Sequence, residues 1–251
     1  MTGFGTNVLG FGSGGGGGPV TLTTQTLVNG QENYNSVTTS DFISDGGTLI
    51  IPTDFWVWGN AANSGAMYVD TPNCIIENYG KIIGNAGTRA MYIGAVGVTV
   101  INHSGAYIAG GGGYGGSGNC GGGGRGAGDS STELNATGAA EGNANGGQGG
   151  GAGAGGSGYF TNASGYCGTG VARGGKILPG NGGSGGWVSG NGGSGGNAGG
   201  SSGNYVYGAG GGGGWGASGG RSATLGSAGG SAIDYGASYT LSNSGNIYGA
   251  S

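Results

Sequence analysis

Charge is what this sequence has least of. Only 6 % of its 251 residues are charged, six basic against ten acidic, with one histidine and a net charge of −4. Six scattered cations cannot build the basic stripe that a nucleic-acid partner requires, so no nucleic acid is expected. Partners must be held by hydrogen bonds and aromatic burial instead of long-range attraction. Four prolines exclude a collagen triple helix, which needs proline throughout. The three cysteines, Cys74, Cys120 and Cys167, are odd in number and unrelated in spacing. With His103 as the one imidazole they predict neither a disulfide framework nor a zinc site. No apolar run approaches the ~20 residues that cross a bilayer. The start, Met1-Thr2-Gly3-Phe4-Gly5, has no basic n-region or apolar h-region, so no secretory leader is expected.

Catalytic chemistry is missing as well. The acidic residues are scattered, and pairs such as Asp41 and Asp45 read as solvated loop residues. The nearest approach to a phosphate loop is Gly170-Val171-Ala172-Arg173-Gly174-Gly175-Lys176-Ile177, which ends without the hydroxyl that would hold magnesium. The chain is therefore expected to be no enzyme and to carry no cofactor and no metal.

What it has in abundance is glycine. From Gly110 to Gly230, 54 of 121 residues are glycine. The clearest stretch reads Asn181-Gly182-Gly183-Ser184-Gly185-Gly186, then Asn191-Gly192-Gly193-Ser194-Gly195-Gly196-Asn197-Ala198-Gly199-Gly200. An x-Gly-Gly period of three is that of an extended left-handed helix with about 3.1 Å rise per residue. Two of its three faces carry no side chain, so neighbouring rods can approach until backbone amides meet carbonyls. Glycine and serine in bulk also make floppy linkers. Linkers are poor in aromatics, however, and these runs are broken by Tyr159-Phe160, Tyr166, Trp187-Val188, Tyr205-Val206-Tyr207 and Trp215. A bundle of polyglycine II helices over 110–232 is the expectation.

Upstream the composition changes. Residues 1–45 begin with Phe4, Val8, Leu9 and Phe11 spaced by glycine, too sparse for a core, and are read as an attachment segment that docks through Phe4 and Phe11, with Val20 to Ser40, rich in Thr, Val and Asn, in the style of polar strands. From Gly46 an internal repeat of 24–25 residues runs to Ala109. Leu49-Ile50-Ile51 is echoed by Ile75-Ile76 and Val100-Ile101, and Ala66-Met67-Tyr68-Val69 by Ala90-Met91-Tyr92-Ile93. Short β-branched runs between Asn-Gly turns at this period suit the rungs of a parallel β-helix-like solenoid. A further echo, Tyr239-Thr240-Leu241-Ser242-Asn243 within 233–251, predicts a C-terminal strand that returns to the solenoid. The fold class expected is all-β: a short solenoid followed by the glycine bundle.

If the tract leaves and returns on one base, its rods run out and back an even number of times. Connections at 119–120, 159–172, 201–207 and 222–225 then fall at the far tip, with 129–145, Trp187 and Trp215 at the base. Tyr and Trp give rigid, amphipathic contact area at low entropic cost, which recognition loops favour. Tyr159, Phe160, Tyr166, Tyr205 and Tyr207, set among Ser, Asn, Thr and Gly, are the candidate receptor contacts, while Trp187 and Trp215 are read as caps on the rods.

These x-Gly-Gly runs broken by aromatic loops, with the closing Asn243-Ser244-Gly245-Asn246-Ile247-Tyr248-Gly249-Ala250-Ser251, resemble the receptor-recognising adhesin at the tip of the long tail fibre of T-even-like bacteriophages. The resemblance covers roughly residues 100–251. It implies a sandwich of polyglycine II helices whose loops bind host outer-membrane proteins, and an N-terminal segment that joins a virion component. The family's tryptophan-rich fibre-gripping segment has no counterpart here, despite Trp56 and Trp58. The same resemblance implies a virion location, synthesis in the host cytoplasm, and two partners: a host surface protein or glycan, and another tail protein. A structural spacer without receptor binding is the alternative. An ice-binding protein is a third, but the tract offers too few threonines for a regular flat face. A single-chain solenoid and a homotrimer interdigitated around a threefold axis both fit the repeat.

Overall fold

The computed structural model describes residues 18–22, 34–53, 55–59, 65–115, 157–159, 189–192, 213–219 and 225–251. The strands among these described residues are β1 (Val20–Thr21), β2 (Tyr34–Asn35), β3 (Val37–Thr38), β4 (Thr48–Ile51), β5 (Trp56–Gly59), β6 (Met67–Val69), β7 (Ile75–Asn78), β8 (Lys81–Gly84), β9 (Met91–Ile93), β10 (Val98–Asn102), β11 (Tyr107–Ala109), β12 (Ser157–Tyr159), β13 (Ser189–Gly192), β14 (Ile233–Tyr235), β15 (Tyr239–Asn243) and β16 (Asn246–Tyr248). One 3₁₀ turn spans Thr39–Asp41, and there is no α-helix among the described residues. The fold is all-β, as expected.

Fourteen of these strands form three parallel sheets. The first runs β1-β4-β7-β10-β15, the second β2-β5-β8-β11-β16 and the third β3-β6-β9-β14. The chain visits the sheets in turn, so each circuit of three strands lies on the one before. Alternation along each strand explains why. In β4, Leu49 and Ile51 point into the shared core while Thr48 and Ile50 face out. Ile76, Ile82, Met67, Met91, Ile93 and Ile108 are likewise fully buried. Each such side chain contributes about 1.5–3 kcal/mol relative to exposure, and a slip of one residue would turn a whole strand's set outward.

Two features differ from the sequence reading. Strands β1 to β3 lie inside 1–45 and pair with β4, β5 and β6, so the sheets begin before Gly46. The register of the first sheet is also not a constant 25 residues. Leu49 pairs with Ile76 and Ile76 with Val100, the arrangement that keeps all three side chains inward. Corner loops of unequal length absorb the difference.

The chain leaves this stack after β11 and rejoins it at β14, whose Ile233 pairs with Met91 of β9. β15 then pairs with β10 from Val98–Tyr239 to Asn102–Asn243, and β16 with β11. One corner is stitched by side chains. Asn78 Nδ2 donates to Asn102 Oδ1 (2.9 Å), and Asn102 Nδ2 donates to Asn243 Oδ1 (2.8 Å). Asn78 and Asn102 are both fully buried. Their amides are thereby satisfied where an unpaired one would cost about 1–3 kcal/mol.

Candidate recognition surface

The described glycine segments sit against the outer side of the second sheet. Val57, Ile82 and Ile108 point into the core, so their neighbours face away from it. Trp56, Lys81, Tyr107 and Asn246 form one outward row in register, and Trp58, Ile83, Ala109 and Tyr248 the next. Trp215, only 4 % exposed, joins Trp56, Trp58, Ile83 and Ala109 in a second apolar cluster, with Tyr107 and Tyr248 packed on it. Its ring lies edge-on to Tyr107 at 5.7 Å and 5.8 Å from Tyr248. The Lys81 ammonium stands 4.9 Å from the Trp56 ring centre. A tryptophan supplied by the glycine tract is therefore driven onto the sheet by apolar burial.

Around that anchor, backbone meets backbone. Residues 110–115, 213–219 and 225–231 run without regular strand pairing, yet their amides are bonded between segments. Gly113 N–H donates to Ala217 O (2.8 Å), Gly213 N–H to Gly113 O (2.8 Å), Gly216 N–H to Gly110 O (2.7 Å), and Gly230 N–H to Gly111 O (2.7 Å). The segments are tied to the stack as well: Gly111 N–H donates to Thr88 O, Gly87 N–H to Gly112 O, and Gly110 N–H to Tyr248 O. The absence of side chains is what allows this. A Cβ on Gly110 would collide with the Gly230 carbonyl, one on Gly112 with Gly213, and one on Gly113 with Ser227.

The third sheet presents a polar aromatic face. Tyr68 and Tyr92 stack at 5.8 Å, and the Arg89 guanidinium lies 4.9 Å from the Tyr92 ring while its Nη1 bonds Asp234 Oδ2 at 2.7 Å. Gly94 and Gly236 leave room for the two phenols, since a Cβ on either would strike the tyrosine of the preceding circuit. At the corner between the first and second sheets, Tyr79 stacks on His103 at 3.9 Å and its hydroxyl donates to Glu77 Oε2. That bond pushes the Tyr79 phenol's pKa up. His103 Nε2 lies 3.8 Å from the same carboxylate, without a hydrogen-bond partner. At another corner, partial burial works against ionisation of Asp70. Hydrogen bonds from the Ser40 hydroxyl and N–H and from Thr39 Oγ1 outweigh it and hold the carboxyl below its usual range.

Of the residues expected to touch a receptor, Tyr159 closes β12, which pairs antiparallel with β13 so that Tyr159 stands opposite Ser189. This corrects the out-and-back scheme. Tyr159 and Ser189 stand side by side, because antiparallel pairing places the close of β12 beside the start of β13. Phe160, Tyr166, Tyr205 and Tyr207 lie outside the described residues, as do the attachment residues Phe4 and Phe11. Trp215, expected at the base of the tract, lies on the second sheet. Cys74 is buried, and burial pushes its thiol up to about 11, away from reactive thiolate chemistry. Among the described residues no three His, Cys, Asp or Glu side chains are placed to hold a metal.

A known structure is similar. It is the crystal structure of the gp37-gp38 adhesin tip complex of the bacteriophage S16 long tail fiber, matched at 17 % identity and a TM-score of 0.33 over 82 % of this chain and 71 % of that one. No protein-family model matches the chain, and no curated protein matches it. At this level of likeness the site must be argued from its own residues. Two surfaces escaped the sequence reading. The Tyr68–Tyr92 face was signalled by the repeated Ala-Met-Tyr motif. The Trp56–Trp58–Trp215 cluster had no local signal, since its members meet across the whole glycine tract.

Proposed function

We propose that the protein is a bacteriophage tail-fibre or tail-tip adhesin. In this reading the three parallel sheets are a short β-helix-like solenoid, and the tract inserted into its fourth circuit is a polyglycine II bundle. The observation that carries it is the direct backbone contact among residues 110–115, 213–219 and 225–231, with carbonyls standing where side chains would otherwise be. Such contact makes a glycine tract rigid, and a rigid block can hold loops in fixed positions at its rim, cutting the ordering cost of binding. The loop residues Tyr159, Phe160, Tyr166, Tyr205 and Tyr207 would then meet a host surface protein or glycan, while Phe4 and Phe11 join another tail protein. In this reading the solenoid is a single-chain one, which the strand order of the three sheets supports.

The test is adhesion of the purified full chain to susceptible cells. Alanine at Tyr159, Phe160 and Tyr205 together should abolish it with the far-ultraviolet circular dichroism unchanged. Undiminished adhesion by the triple variant removes the loop assignment, and a wild-type chain that adheres to no cells supports a spacer role instead.

A further inference from the structure

The outward side of the third sheet carries two tyrosines and no aliphatic residue. Thr38, Tyr68, Tyr92 and Asp234 are neighbours in register across β3, β6, β9 and β14, and each is half-buried. Just past the strand ends come Ser40, Asp70, Gly94 and Gly236, of which Ser40 and both glycines are exposed. The phenols lean along the stack. A Cβ on Gly94 would meet the Tyr68 ring and hydroxyl, and one on Gly236 the Tyr92 hydroxyl, so each phenol lies beside the glycine of the next circuit. The ring planes differ by 25° with centres 5.8 Å apart, an overlapping pair that steps from circuit to circuit. Neither phenol hydroxyl has a protein partner among the described residues.

Polar groups bracket the pair. Beyond Tyr92, the Arg89 guanidinium lies 4.9 Å from the ring and bonds Asp234, with side chains 30 % and 48 % exposed. On the Tyr68 side, the Asp70 carboxylate takes hydrogen bonds from the Ser40 hydroxyl and N–H and from Thr39 Oγ1. These contacts fix the groups before any ligand arrives, which lowers the ordering cost of binding.

The composition of the face selects its ligand. A protein partner wants an apolar centre to its interface, and this row has no Leu, Ile, Val or Met. Two carboxylates against one guanidinium, itself already paired, offer nothing to a phosphate or an acidic sugar. A neutral sugar ring presents C–H groups on its face, which the negative face of an aromatic ring attracts, and hydroxyls around its rim for carboxylate, guanidinium and phenol. Because the tyrosines recur by circuit, a ligand built of repeating units can meet both.

We propose that the outer side of the third sheet binds a neutral glycan chain running along the stack over Tyr68 and Tyr92, between Asp70 and the Arg89–Asp234 pair. This site is separate from the loop residues of the adhesin reading and does not rest on that reading.

The test uses the full chain with Tyr159, Phe160 and Tyr205 all changed to alanine, so its result is independent of the loop assignment. The probes are linear hexamers of glucose, mannose, galactose and N-acetylglucosamine, with a galacturonic acid hexamer as the acidic control. At least one neutral hexamer should bind saturably in the millimolar range and shift the ring signals of Tyr68 and Tyr92 in a tyrosine-labelled sample. The acidic hexamer should bind at least tenfold more weakly. Tyr68→Ala with Tyr92→Ala should weaken neutral binding at least tenfold. Gly94→Ala displaces only the free end of Tyr68 and leaves the core alone, so it should weaken binding at least threefold with the melting temperature unchanged. No saturable binding by any neutral hexamer at tens of millimolar overturns the proposal. So does equal binding of the acidic hexamer, or undiminished binding by a folded variant of either kind.

Discussion

Adding one methyl group at Gly112 should open the glycine segments and leave the sheets intact. In Gly112→Ala the new Cβ meets the carbonyl of Gly213, and neither group is the flexible end of a side chain that can swing aside. The segments must part, and the bonds from Gly113 N–H to Ala217 O and from Gly213 N–H to Gly113 O go with them. Both glycines are buried. Two buried donors left without partners cost about 2–6 kcal/mol together, against which alanine's smaller unfolded-state entropy returns only about 0.4–1 kcal/mol. A net local loss of roughly 3 kcal/mol corresponds to about a hundredfold faster exchange. Hydrogen exchange read by mass spectrometry should show this acceleration at Gly87, Gly113, Gly213 and Gly230, with the amides of Ile76 and Val100 unchanged. Gly18→Ala is the control, because nothing lies near its would-be Cβ. Unaltered protection in Gly112→Ala would refute the claim that bare backbones hold these segments together.

Trp215→Ala should cost about 3–5 kcal/mol, the usual range for truncating a buried aromatic. It should lower the melting temperature and quench the near-ultraviolet dichroism of Tyr107 and Tyr248. Asn102→Leu removes one of the two acceptors of the buried Asn78 Nδ2, leaving it only Tyr107 O, and should lose roughly 1–3 kcal/mol for the donor hydrogen left unpaired, readable as a shifted urea midpoint at constant slope. Asp70 supplies a pH dependence. Its folded pKa is lowered from 3.8, so its stabilisation is complete above that value and is lost as pH falls through the folded one. The melting difference between wild type and Asp70→Asn should be constant near neutrality and shrink below about pH 4.

Much of the scaffold was legible because it repeats. Ala66-Met67-Tyr68-Val69 and Ala90-Met91-Tyr92-Ile93 are neighbours in the third sheet residue for residue, since equal loops separate them. Where corners differ in length, as between Ile51 and Ile75, matching apolar runs by eye misplaces the register, and only packing decides it. The stretch from Val20 to Ser40 reads as polar strands, but strands of two residues such as β1 and β3 carry too little pattern for their register to be placed before their partners are known. Trp215 shows the opposite limit. Its burial depends on the cluster with Trp56, Trp58 and Ile83 and on ring contacts with Tyr107 and Tyr248, which no window of sequence contains, so it read as a cap. The candidate receptor contacts were legible only as composition, aromatic residues among small polar ones. The β12–β13 pairing adds the one piece of geometry that composition lacked.

The insertion between β11 and β14 has a consequence for how such a molecule can change. Both of its ends are sewn into the same wall, by Tyr107–Ala109 on β8 and Ile233–Tyr235 on β9, so the masonry above and below does not register how much chain is looped out between them. Doubling an excursion adds only about 0.6 kcal/mol of closure entropy. Lineages could therefore lengthen or shorten the excursion beyond the segments bonded to the wall and beyond Trp215, while the wall that bears it stays the same.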